Sequence, residues 1–258
     1  MFFTRDSGYS WDGHTVLPTV SCTSTDPSVA WDAAGIAYFC YQGCDPPVYG
    51  SGTHLFLATS EDGGETWSRS LVRGKYDPAG QANIDKPHMA IDTNSSSAYE
   101  GYIYIAWFGS PGASGNEIMF KRSRTGGADF DEEHDISEGI AEYYNIGVNL
   151  AVAPNGLIYA SWAIHDLPVY EYDEDAIGFN RSRDGGNSFD GASRIIEIPE
   201  GMNWGSNYPT TIEPKKMRVN SCPSMAVDGR GGGSGTIYMV WPDMRNGNAD
   251  VFLSRSND

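Results

Sequence analysis

The chain has 258 residues, of which 40% are hydrophobic and 12% aromatic. This composition is typical of a globular protein with a sizeable core rather than a disordered chain. The formal net charge of −17 would repel a polyanion, so we expect no nucleic-acid partner. No apolar stretch approaches the roughly 18 residues of a membrane helix, so we expect no membrane insertion.

Pairs of apolar segments recur along the chain in a fixed order. The first member of each pair is SVAWD (28–32), HMAID (88–92), NLAVA (149–153) or SMAVD (224–228). The second is GIAYFCY (35–41), GYIYIAW (101–107), GLIYASW (156–162) or GTIYMVW (235–241). Alternating apolar and polar positions, rich in Val, Ile, Tyr and Phe, predict β-strands, which we label A and B in each unit.

A third and a fourth strand follow in each complete unit. LFLATS (55–60) and EIMFKRS (117–123) are examples of strand C, and SRIIEIP (193–199) is an example of strand D. Four strands in a repeat of about 60 residues predict an all-β fold, a β-propeller of four-stranded antiparallel blades.

We expect one domain over residues 1–258, divided into five units. Three blades are predicted to be complete, at 21–78, 79–138 and 139–200, and two are partial: 1–20 (strands C and D) and 217–258 (strands A to C). Because both partial units break off within a blade, we expect the chain to be part of a propeller with six or more blades.

A glycine-rich turn joins strands C and D at a fixed spacing. It reads TRDSGYSW (4–11), SEDGGETW (60–67), SRTGGADF (123–130) and SRDGGNSF (182–189). The Asp can accept backbone hydrogen bonds, the Gly supplies a positive φ, and the aromatic residue packs on the blade. The structural residues of these turns are Asp6, Gly8, Trp11, Asp62, Gly64, Trp67, Gly127, Phe130, Asp184, Gly186 and Phe189, with Asp258 at the corresponding position of a fifth copy.

These turns resemble the Asp-box, or bacterial-neuraminidase repeat, of the sialidase superfamily, and the resemblance covers the whole chain. It implies that the turns are structural and lie on the face remote from any active site. It also implies an extracellular, cell-surface or periplasmic protein that acts on or recognises glycans. An exo-α-sialidase-type glycoside hydrolase is the first expectation. The alternatives are a non-catalytic glycan- or protein-binding propeller and another Asp-box hydrolase, such as a xyloglucanase-type enzyme.

A sialidase of this family needs three arginines, a tyrosine nucleophile activated by a glutamate, and an aspartate acid/base. The candidate nucleophile pair is Glu142 with Tyr144, because residues two apart in a strand point to the same face. Arg218 and Arg245 are candidates for a carboxylate clamp, or else form structural salt bridges. The family's Arg-Ile-Pro motif is absent.

Other candidate substrate-binding residues lie in the B–C and D–A loops, on the face opposite the Asp-box turns. Aromatic residues there would stack on sugar rings or pack the loops, and the polar ones gather at strand edges. They are Asp85, His88, His165, Asp166, Tyr170, Tyr172, Trp204 and Tyr208.

No cofactor is expected, although the acidic run 171–175 offers Asp173 and Asp175 as possible Ca²⁺ ligands. A solvated acidic loop is the alternative. A disulfide among Cys22, Cys40 and Cys44 would suit a secreted protein, and buried free thiols are equally compatible with the sequence. Cys222 has no evident partner.

Overall fold

The computed structural model describes residues 4, 6–11, 24–45, 50–74, 84–109, 117–140, 144–166, 174–202, 211–212, 217–230 and 233–256. All regular structure in these residues is β, so the predicted class is confirmed. None of the described residues forms a helix long and apolar enough to cross a membrane.

Three four-stranded antiparallel sheets carry most of the chain, and each is a meander in sequence order. The first contains β1 (Thr25–Trp31), β2 (Ala37–Asp45), β3 (Gly50–Ser60) and β4 (Ser68–Arg73). The second contains β5 (Ile84–Ile91), β6 (Ile103–Gly109), β7 (Glu117–Ser123) and β8 (His134–Asp135). The third contains β9 (Tyr144–Val152), β10 (Ile158–His165), β11 (Ala176–Ser182) and β12 (Ser193–Glu197).

A fourth sheet has three strands among the described residues. A short hairpin of β13 (Thr211–Ile212) and β14 (Met217–Arg218) precedes it. The sheet itself contains β15 (Ser224–Asp228), β16 (Thr236–Asp243) and β17 (Asp250–Ser256). Its strands correspond in order to strands A, B and C of the repeat.

The sheets are arranged as blades around an axis. Their first strands, β1, β5, β9 and β15, lie side by side in that order, and the four sheets form an unclosed arc. Apolar side chains from facing sheets fill the spaces between them: Leu57 and Trp107 belong to one buried cluster, Phe120 and Trp162 to a second, and Tyr159 and Trp241 to a third. Face-to-face packing of twisted antiparallel sheets about an axis is the β-propeller architecture predicted from the repeat.

The glycine-rich turns are closed by one repeated set of hydrogen bonds. In the second copy the Thr66 hydroxyl and backbone N–H both donate to the Asp62 carboxylate, and the Gly64 N–H donates to Ser60 Oγ at 2.8 Å. The copies around Asp6 and Asp184 have the same arrangement. In the third copy the Thr125 hydroxyl takes the place of the carboxylate and accepts the Asp129 N–H at 2.9 Å.

The glycines of these turns adopt the left-handed conformation that their sequence position requires. Gly64, Gly127 and Gly186 have φ of 93°, 87° and 81°. A Cβ on Gly127 would also meet the Leu57 side chain at 2.4 Å, so this turn packs against the neighbouring sheet.

Cys44 is disulfide-bonded, whereas Cys40 and Cys222 are free thiols. Cys40 is fully buried on β2, where burial raises the pKa of its thiol. Of the alternatives open from the sequence, a disulfide is therefore present at Cys44 and a buried free thiol at Cys40. Cys22 lies outside the described residues.

Candidate functional site

The innermost strands carry a bulge at equivalent positions, on the end of the sheets opposite the glycine-rich turns. The bulge residues Asp26, Lys86 and Gly147 have φ of 51°, 46° and 70°, and the strand register shifts at each. Asp26 and Lys86 adopt this left-handed conformation despite carrying side chains and preceding prolines. Strained backbone of this kind is concentrated at functional sites, and bulges redirect side chains there.

Two carboxyl groups meet at the first two bulges. Asp85 forms a side-chain hydrogen bond with Asp26, and burial together with this second carboxyl raises the pKa of Asp85. The Gln42 side-chain amide donates to Asp26 Oδ2 at 2.7 Å, and the Lys86 backbone N–H approaches the same oxygen at 3.4 Å. Because two adjacent carboxylates repel each other, this arrangement favours the protonated form of Asp85.

Tyr144 begins β9 next to this carboxyl pair. Its ring packs against Phe108, with centroids 5.0 Å apart, and edge-on against His165 at 5.5 Å. Burial and the negative charge of Asp85 raise the pKa of Tyr144 to about 12. The phenol is therefore held neutral near pH 7 and is a hydrogen-bond donor in this state.

Glu174 is a buried carboxyl group just before β11. One oxygen, Oε1, accepts the Ser221 N–H at 2.8 Å. The other, Oε2, is buried and has no hydrogen-bond partner among the described residues. Burial raises the pKa of Glu174 to about 7, so a large fraction of this group carries a proton near neutral pH.

The Cys222 thiol shows that these groups share one region. Burial raises its pKa to about 12; the nearby charges of Glu174 and Asp85 act in the same direction, and the positive charge of Lys86 opposes them. Its Sγ occupies the space beside Gly147, where a Cβ would lie 2.1 Å away. We refer to Asp26, Asp85, Lys86, Tyr144 and Glu174 as the axial cluster.

Sequence reasoning identified part of this cluster and missed the rest. Asp85 and Tyr144 were among the expected candidates, and His165 packs on Tyr144. Glu174 was considered only as part of the acidic run 171–175, Lys86 only as part of the polar stretch 85–88, and Asp26 was not singled out. The Asp-Pro and Lys-Pro pairs ahead of two predicted A strands were the available signal, because a residue before proline at a strand edge marks a probable bulge or turn.

Several other candidates have structural partners. His88 lies on β5, and its Nδ1 accepts the Leu150 N–H of the next sheet at 3.1 Å; burial lowers its pKa to about 4. Asp166 pairs with Arg194. Arg245 is bound to the buried Asp243 at 2.5 Å and lies 4.5 Å from the Phe252 ring centroid.

Asp175 accepts the Asp166 N–H at 2.6 Å. No group of three or more acidic, histidine or cysteine side chains suited to a metal ion occurs in the described part of the chain. The side chain of Arg218 is not described. Seven of the residues predicted from the sequence lie outside the described ranges: Glu142, Tyr170, Tyr172, Asp173, Trp204, Tyr208 and Asp258.

Comparison with known proteins gives structural but not sequence relatives. No protein-family model matches the chain, and no curated protein matches it in sequence. The α-L-arabinanase of Penicillium chrysogenum, solved with arabinobiose, superposes with a TM-score of 0.63 at 15% identity over 98% of this chain and 68% of its own. A Hadza microbial sialidase superposes with a TM-score of 0.58 at 14% identity over 91% of this chain.

The endo-arabinase of Bacteroides thetaiotaomicron superposes with a TM-score of 0.55 at 15% identity, covering 95% of this chain and 79% of the enzyme. Our chain spans only 44% of the sialidase's length. At these identities the likeness establishes the fold, and the activity has to be argued from the site. The chain therefore has a β-propeller fold that is similar to those of the sialidase and the arabinanases on which it superposes.

Proposed function

We propose that this propeller is a glycan-directed protein and that it hydrolyses glycosidic bonds with the carboxyl groups of the axial cluster. The observation that carries the proposal is the hydrogen-bonded pair of Asp85 and Asp26 together with the buried Glu174, because Asp85 and Glu174 both act on the Cys222 thiol and both have raised pKa values. The fold shared with sialidases and arabinanases supports the same class of chemistry.

Glycoside hydrolysis needs one carboxyl group that is protonated and a second that is ionised. Glu174, with a pKa near 7, would donate a proton to the oxygen of the leaving sugar. The Asp26–Asp85 pair would supply the second carboxyl group, which activates water or attacks the sugar. Lys86 adds a positive charge beside the pair and limits the local excess of negative charge.

A sialidase-type reaction at the same place is the second candidate. Tyr144 stands beside a carboxylate, Asp85, as a tyrosine nucleophile requires. The arginine clamp has less support. The ion pairs of Arg73, Arg194 and Arg245 occupy each of these guanidinium groups with a carboxylate.

The two candidate reactions can be distinguished by the substrate that is cleaved and by the variants that lose activity. Hydrolysis of an aryl α-L-arabinofuranoside, an aryl sialoside and xyloglucan would be measured with the wild type, Glu174→Gln, Asp85→Asn and Tyr144→Phe. General acid–base chemistry predicts a loss of about 10²- to 10⁴-fold for the two carboxyl variants, with Tyr144→Phe much less affected. Loss centred on Tyr144→Phe, together with sialoside cleavage, would select the sialidase-type reaction.

Glu100→Gln serves as the matched control, because Glu100 is an exposed carboxylate in the turn before β6. It should retain full activity. Binding to a glycan array without turnover of any substrate would overturn hydrolysis in favour of a glycan-binding propeller. Turnover that is unchanged in Glu174→Gln and Asp85→Asn would show that the axial cluster is not the catalytic site.

We further propose an extracellular, cell-surface or periplasmic location and no nucleic-acid partner. The disulfide of Cys44 supports an oxidising compartment, since structural disulfides are rare in reducing ones. The net charge of −17 supports the absence of nucleic-acid binding. Fractionation of the source cells with an antibody against the chain would test the location.

A further inference from the structure

Gln42 on β2 is a buried glutamine at a position where neighbouring sheets carry apolar residues. It lies opposite Thr25, the residue before the bulge of the first sheet. Phe108 and Ala163 occupy the same register position in the second and third sheets, and both are buried. Because burying an amide costs free energy unless it forms hydrogen bonds, the partners of Gln42 indicate what this residue does.

The Gln42 side chain binds both carboxyl groups of the Asp26–Asp85 pair. Its Nε2 donates to Asp26 Oδ2 at 2.7 Å, and the same side chain forms a hydrogen bond with Asp85. A primary amide has two N–H donors, so one glutamine can serve two acceptors. Both carboxyl groups are half-buried, whereas Gln42 is 6% exposed. The amide therefore supports the pair from the protein interior.

Burial and the Gln42 hydrogen bond act in opposite directions on this pair. Burial, the largest effect, raises the pKa of Asp85, and the hydrogen bond with Asp26 and the charge of Asp26 act in the same direction. The positive charge of Lys86 and the Gln42 hydrogen bond lower the pKa. Donors directed at a carboxyl group favour its ionised form, so Gln42 acts with Lys86 to keep the pair able to ionise.

Two further titratable groups face Asp85 from the neighbouring elements. Tyr144 lies at the start of β9, and Cys222 lies just before β15. Burial raises the pKa of each to about 12, so both are neutral near pH 7. Glu174 acts on the Cys222 thiol. These groups do not supply the hydrogen-bond donors that Gln42 directs at the pair.

We propose that Gln42 is a positioning residue for the axial cluster, whose amide binds both carboxyl groups of the pair and keeps one of them available in the ionised form. The inference rests on the proposed function, since glycoside hydrolysis needs one ionised carboxylate besides the protonated acid. Gln42 acts through Asp26 and Asp85, and the apolar residues at the same position of the next two sheets show that the blade itself does not require an amide there.

Carboxyl ¹³C NMR of aspartate-labelled protein follows the titration of Asp85 directly, with its signal assigned by its absence in Asp85→Asn. Gln42→Met removes the amide donors and keeps a side chain of similar length. The titration midpoint of Asp85 should rise by about one pH unit, which is the size expected for a lost hydrogen bond to a charged group. In the hydrolysis assay, the acid limb of kcat/KM against pH should move to higher pH in the same variant.

Asn180→Ala is the matched control, because it removes another buried amide. Asn180 lies on β11, is 3% exposed, and its Nδ2 donates to the Ile136 carbonyl at 2.8 Å. This variant should lower the free energy of unfolding but leave the Asp85 midpoint and the acid limb in place. A purely structural role for Gln42 would likewise lower stability without moving the midpoint.

The wild type provides a test that needs no folded variant. The side-chain N–H signals of Gln42 should shift with pH at the same midpoint as the Asp85 carboxyl group, because the amide donates to the pair.

Three results would overturn the inference. They are an unchanged Asp85 midpoint in folded Gln42→Met, an equal shift of that midpoint in Asn180→Ala, and Gln42 N–H signals that do not follow the Asp85 titration. The NMR measurements do not depend on turnover. A wild type that cleaves no glycan, but shows the raised midpoint in Gln42→Met, would therefore refute the proposed hydrolysis and still support the control of the pair by Gln42.

Discussion

The close approach of Gly147 to Cys222 gives the sharpest stability prediction. Gly147 is the bulge residue of β9, with φ of 70°, and an added Cβ would lie 2.1 Å from Cys222 Sγ and 2.8 Å from its Cβ. Gly147→Ala therefore forces either the innermost strand or the segment before β15 to move. Gly247→Ala is the matched control, because Gly247 has φ of 80° but no atom within 4 Å of the added Cβ.

The expected decrease in the free energy of unfolding is built from two separate energetic costs. A left-handed conformation costs a residue with a Cβ about 1–2 kcal/mol, and this applies to both variants. Overpacking in a closely packed region adds about 1–3 kcal/mol, and this applies to Gly147→Ala alone. We expect Gly147→Ala to lower the free energy of unfolding by about 2–5 kcal/mol and Gly247→Ala by about 1–2 kcal/mol.

Urea denaturation followed by tryptophan fluorescence measures both values, and an unchanged m-value shows that the midpoint shift reports stability. Adding Cys222→Ala to Gly147→Ala should recover part of the loss, since it removes the sulfur contact but leaves the Cβ contact. Equal midpoints for Gly147→Ala and Gly247→Ala would refute the close approach. So would a double variant no more stable than Gly147→Ala itself.

Three further predictions concern the same structure. The folded-state pKa of Glu174, about 7, lies above the ordinary value of 4.5. The protonated Glu174 carboxyl group therefore adds fully to the free energy of unfolding below about pH 4.5, and this contribution is lost as the pH rises through about 7. The loss amounts to at most about 3 kcal/mol, and in pH-dependent unfolding Glu174→Gln should remove it. Asn149→Ala, which leaves the Met225 N–H without its acceptor, should cost about 1–3 kcal/mol in urea denaturation, and no measurable loss would contradict the role of this contact. Burial, the largest single effect, raises the pKa of Asp184, but the hydrogen bonds from Ser188, Ser182 and Asn187 together outweigh it and lower the pKa. The stability from this carboxylate is therefore present near pH 7 and is lost as the pH falls through the lowered folded-state pKa. Asp184→Ala should destabilise near pH 7 and have a smaller effect in acid, and an equal effect at both pH values would contradict this role.

The repeat could be recognised from the sequence because the strand and turn patterns that define it involve residues close together in the chain. Alternating apolar residues specify a strand through the two-residue period of its side chains, and the turn motif closes through bonds that span four residues or fewer, as from Thr66 to Asp62. The third turn forms although it lacks the Asp of the motif. Thr125 stands at that position, and its hydroxyl closes the turn in place of the carboxylate.

The axial cluster was only partly predictable because its members come from different blades. Asp26 and Asp85 are far apart in sequence, and only the side-by-side position of β1 and β5 brings their carboxyl groups together. Glu174 belonged to an acidic run that could equally be a solvated loop. Its burial, and with it the raised pKa, depends on the segment at Ser221 that packs over it.

The sequence by itself determined the strands, their order within each blade, the glycine positions of the turns and the propeller class. Each of these depends on interactions between residues close in the chain. The tertiary structure alone decided that the Asp85 carboxyl group meets that of Asp26, that Glu174 is buried, and that the His88 side chain accepts the Leu150 N–H of the next sheet. These properties depend on burial and on distances between blades, and neither quantity is encoded in any single stretch of sequence.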